Sequence, residues 1–61
     1  MAIRYYFKNE VIARQAISDC QNLGYWAVSF SSGLPAGAAL GVECSALAEG
    51  LFESRFADDL V

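Results

Sequence analysis

The 61-residue sequence contains no histidine. That absence excludes Ser-His and Cys-His pairs and imidazole metal ligands, and it removes the commonest general base near neutral pH. Cysteine is confined to Cys20 and Cys44, with neither a CxxC nor a metal-binding spacing, which points to a reducing, cytoplasmic setting. Basic residues are scarce: four face seven acidic ones, for a formal net charge of −3. Direct nucleic-acid binding is therefore disfavoured, because such affinity rests on neutralising phosphates. Long apolar runs are missing too. The longest mostly apolar stretch, residues 33–42, is far too short to span a bilayer, so no membrane association is expected. No secretory leader pattern follows Met1, which reads as a native start. The glycines Gly33, Gly37 and Gly41 lack the Lys-Ser/Thr ending of a phosphate loop and read as a flexible or close-packing connection, so no cofactor is expected.

Apolar material, by contrast, is plentiful: 56% of residues are hydrophobic, with four Phe, three Tyr and one Trp. Disorder is excluded by that composition. The length allows a single domain over residues 1–61. A domain of this size buries only about 60% of the surface its unfolded chain exposes. Some large apolar side chains must then stay outside, and contiguous exposed apolar area marks association sites.

Residues 1–8 read as a strand, with Ile3, Tyr5 and Phe7 inward and Arg4, Tyr6 and Lys8 outward. Asn9 is placed to cap a helix over residues 10–22, where Ile12, Ala13, Ala16, Ile17, Cys20 and Leu23 recur every three or four positions. Glu10 and Arg14 add an i,i+4 pair of about 0.3 kcal/mol, and Gly24 closes the helix. Residues 25–31 read as a second strand, with Trp26, Val28 and Phe30 on one face and Tyr25 and Ala27 on the other. After a loop, residues 38–43 read as a weaker third strand. Ser45 caps a last helix whose buried stripe is Leu47, Ala48, Leu51, Phe52, Phe56 and Leu60, with fraying expected at Asp58 and Asp59. The fold class is α+β, in the order β-α-β-β-α. A three-stranded mixed sheet is expected, its first two strands parallel, with both helices on one face.

Two surfaces are candidate sites. Glu43, Glu49, Glu53, Asp58 and Asp59 form an acidic set, attributed to the last helix, which suits a partner with a basic surface. Arg4, Tyr6, Lys8 and Tyr25 share the open sheet face, where a Tyr6–Tyr25 pair suits a partner or a homodimer seam. Neither catalytic nor metal-binding residues are assigned. Glu49 and Glu53 could act as an acid-base pair only if shielded, and a solvated helix face does not shield them.

In size, acidity and lack of catalytic signatures the chain resembles the small stand-alone inhibitors of phages and mobile elements, anti-CRISPR proteins among them. That resemblance implies a non-enzymatic domain that blocks a larger, nucleic-acid-handling protein. The β-α-β-β-α order is also similar to small sulfur or selenium carrier domains, which implies the alternative of a thiol carrier using Cys44, beside a helix start that lowers a thiol pKa. A structural subunit of an oligomeric assembly is the remaining alternative.

Overall fold

A computed structural model describes residues 1–61. Strand β1 (Ala2–Phe7) leads into helix α1 (Glu10–Asn22), strand β2 (Ala27–Phe30) and strand β3 (Leu40–Ser45). A 3-10 turn over Ala46–Ala48, helix α2 (Glu49–Arg55) and a second 3-10 turn over Ala57–Asp59 complete the chain. The α+β class and the β-α-β-β-α order match the expectation, and the buried cluster joins residues of both helices to one face of the sheet.

The pairing differs from the mixed sheet expected. β3 lies between the other two strands in the order β1-β3-β2 and is antiparallel to both, so β1 and β2 run the same way without touching. The physical reason lies in β3's small apolar residues. Leu40, Gly41, Val42 and Cys44 are all buried, so this strand can be covered on both faces and both edges. β1 and β2 carry more exposed residues and take the edges.

α1 starts where Asn9 accepts a hydrogen bond from the Ile12 amide at 3.1 Å, and it ends where Gly24 adopts φ 91°. It turns Ala13, Ala16 and Cys20 into the core, with Ile12 and Ile17 half-buried. Those small side chains let the helix approach the sheet closely. β2 must answer with a small residue, and it buries Ala27 beneath the helix while Val28 stays exposed. Its two faces are thus the reverse of the expected ones: Trp26, Val28 and Phe30 fall on the helix-free side.

α2 covers the β1 end of the sheet. Phe52 stacks on Tyr5 with ring centroids 4.8 Å apart and planes 2° from parallel, and it meets Phe7 edge-on at 6.0 Å. Ser45 does cap the segment, accepting from the Leu47 amide, but the first turn is 3-10 and leaves Leu47 exposed rather than in the stripe. The expected fraying at Asp58 and Asp59 does not occur. The Lys8 amide donates to the Asp59 carbonyl at 3.0 Å and the Val61 amide to the Tyr6 carbonyl at 2.8 Å, which straps the C-terminus along the outer edge of β1. No helix is long and apolar enough to cross a membrane.

Candidate functional site

The sheet separates the two sets of candidate residues differently from the sequence reading. On the helix-free face, cross-strand register aligns Arg4, Glu43 and Val28 in one row and Tyr6, Gly41 and Phe30 in the next. The Phe30 ring covers Gly41, where an added Cβ would clash with three of its carbons. Tyr6 meets Phe30 edge-on at 5.9 Å and 83°, and the Arg4 guanidinium sits 5.1 Å from the Phe30 centroid. Glycine and an aromatic ring on neighbouring strands cover each other, which restores packing that glycine alone cannot supply.

Three placements correct the expectation. Tyr25 is half-buried and packs against the helix-side core, so it neither shares Tyr6's face nor pairs with it; Phe30 takes that place. Glu43 is on β3 rather than the last helix. It faces away from α2 and binds Arg4 at 3.5 Å, so it does not belong to the acidic helix set. Lys8 stands at the end of β1, its ammonium 3.5 Å from the Asp58 carbonyl oxygen, closer to the C-terminal strap than to the aromatic cluster. The sequence reading left Trp26 and Val28, 48% and 52% exposed, off this face. The available signal was α1's inward Ala-Ala-Cys line, which has no room for a Trp-Val-Phe row.

The acidic set acquires its meaning from the ion pairs. Arg14 binds Glu10 at 3.0 Å, Arg55 binds Asp19 at 3.3 Å, and Arg4 binds Glu43. Glu49, Glu53, Asp58 and Asp59 join none of these pairs. With every arginine matched elsewhere, the formal charge of −3 comes down to those four carboxylates and Lys8. The uncompensated charge therefore sits at the α2 end of the molecule. Glu53 is also structural, because it accepts a hydrogen bond from the Tyr5 hydroxyl at 2.9 Å. Burial of Tyr5, that hydrogen bond, and the negative charges of Glu53 and Glu49 raise the phenol pKa well above its ordinary value.

Cys20 and Cys44 are fully buried free thiols between α1 and β3, and the Cys20 thiol donates to the Trp26 carbonyl oxygen at 3.8 Å. Burial, then the neighbouring Cys20 thiol, then Glu43, push Cys44 up to about 11. Cys44 lies within β3 on the core face rather than at the following helix start, so it receives no helix-terminal lowering, and the geometry lends a carrier role no support. No group of three or more His, Cys, Asp or Glu side chains is arranged to hold a metal ion, and the surface has no pocket. Comparison with protein-family models, with curated proteins and with solved structures finds no match.

Proposed function

We propose that this chain is a non-enzymatic protein-binding domain that occupies a basic surface of a larger, nucleic-acid-handling protein and blocks it. The observation that carries this reading is the localisation of all unpaired acidic side chains at Glu49, Glu53, Asp58 and Asp59. A carboxylate array of this kind presents the charge that a phosphate backbone offers to the same basic surface. Exposed Glu49 and Asp58 are the contacts that matter, whereas Glu53 is partly committed to Tyr5.

The test is the doubly reversed variant Glu49→Lys/Asp58→Lys, offered beside the wild type to the host's nucleic-acid-binding proteins retained on a polyanion column. Wild type captures a partner from that pool, and a polyanion competes it off. The variant, with an unchanged circular dichroism spectrum, loses at least about tenfold in affinity, since like charges meeting at an interface cost several kcal/mol. Equal capture by both forms removes the acidic surface from the proposal.

A further inference from the structure

The two outer edges of the sheet are treated differently. The β1 edge is flanked by Arg4 and Lys8 and is closed at its far end by the C-terminal strap. The β2 edge has neither protection. No charged residue occurs anywhere from Cys20 to Val42, so β2 has none of the lysines or prolines that keep free edges from pairing. Alternation fixes which groups point outward. The Trp26 carbonyl accepts from Ser45 on β3, so the backbone groups of Ala27 and Ser29 point away from the sheet. Only the Ala27 carbonyl is engaged, by Gln21 Nε2 at 3.1 Å, and it retains a second lone pair.

We infer that β2 pairs antiparallel with β2 of a second copy of this chain, about a two-fold axis at Val28, joining two sheets into one of six strands. In this register Ala27 and Ser29 of each copy exchange backbone hydrogen bonds. On the helix-free face Val28 meets Val28 of the second copy, and Trp26 of each copy lies opposite Phe30 of the other. Exposed Val28 and Trp26 thus find apolar partners, Trp26 against the half-buried Phe30 of the other copy, and such cross-strand pairs each contribute about 0.2–1 kcal/mol.

Charge selects a second copy over other occupants. α2 and its carboxylates lie over β1, at the opposite end of the sheet from β2. In the paired sheet the two β1 strands stand five strand spacings apart, about 24 Å, well beyond the ~8 Å screening length at physiological salt. The contact itself is neutral on both sides. Size limits its strength. A standard interface covers about 800 Å² per partner, roughly a fifth of this chain's 3663 Å². A four-residue edge with Trp26 covers less, so the dimer is weak and concentration-dependent. This inference does not rest on the acidic-surface reading, because it uses the other end of the sheet.

Sedimentation equilibrium tests it between about 10 µM and about 1 mM, the range where weak pairing is read. Wild type rises from 6.6 kDa towards twice that mass. Val28→Lys and Val28→Glu, both at an exposed position, each stay monomeric with unchanged circular dichroism. Mixed one to one, they dimerise, because Lys and Glu then face each other across the axis. Glu49→Lys/Asp58→Lys dimerises as wild type does, which separates this result from the fate of the acidic surface. A wild type that remains 6.6 kDa at about 1 mM overturns the inference and leaves the edge to an extended segment of another protein. Undiminished dimers in Val28→Lys, or a mixture that stays monomeric, overturn it as well.

Discussion

Gly41 is the residue whose sequence signal misleads most. Inside an apolar run a glycine reads as a weak point of a strand, and it lowers the expectation that residues 38–43 pair at all. In the folded chain it is buried because the Phe30 ring occupies the space a side chain would take. Gly41→Ala should therefore destabilise the domain by about 1–2 kcal/mol, the cost of overpacking a filled site. In a Phe30→Ala background, with the ring gone, the same change should be neutral or stabilising. Urea denaturation of the four proteins in that cycle measures the coupling, and additive effects would show that ring and glycine do not compete for space. No local pattern could have revealed this contact. It depends on which strand lies beside β3, and a residue's own neighbours do not encode that.

At the scale of elements, α1 and β1 are readable because each is fixed by signals close in sequence. Asn9, the three-four apolar spacing and Gly24 delimit the helix, and the alternation from Ile3 to Phe7 assigns β1's faces. β2 fails that test because both its faces are apolar, and the side that points inward is decided by the small residues of α1. The acidic residues were legible as a group but not as a surface, since Arg4 takes Glu43 away across the sheet. The contact between β1 and α2 has its own pH signature. Tyr5 has a raised pKa in the folded chain and an ordinary one, near 10, when unfolded. The folded state then holds the proton more tightly, so stability is full below pH 10 and falls as pH climbs above it. Tyr5→Phe should lose about 1 kcal/mol at neutral pH, the usual net worth of a hydrogen bond. It should also lack this part of the alkaline loss, so the wild-type and variant stability curves converge above pH 10. Parallel curves would show that the phenol is not tied to Glu53. Cys44 contributes a separate decline that begins near pH 9 in both proteins, because its folded pKa is raised in the same sense.

The whole molecule is held together at its last residues as well as in its core. Leu60 packs against the buried cluster, and the amides of Lys8 and Val61 tie the C-terminus to β1. Asp58 and Asp59 oppose the helix dipole, which predicts a frayed end there. A 3-10 turn over Ala57–Asp59 ends the helical segment, and the strand-like Leu60 takes over. Removing Leu60 and Val61 should cost about 2–3 kcal/mol, from one partly buried leucine and the lost edge hydrogen bonds. It should also leave β1 open to pairing between chains. Thermal unfolding and light scattering read the two effects. A truncated chain with unaltered melting temperature and no added scattering would show that the strap is ornamental.

The facing thiols of Cys20 and Cys44 have one further implication. Sealed beneath α1 and poorly ionised, they are silent to any alkylating reagent while the helix stays docked. Helix and sheet must part before either sulfur reacts, so these two atoms are an internal gauge of how often the domain opens. A thiol-trapping time course can therefore report its opening equilibrium without any added label.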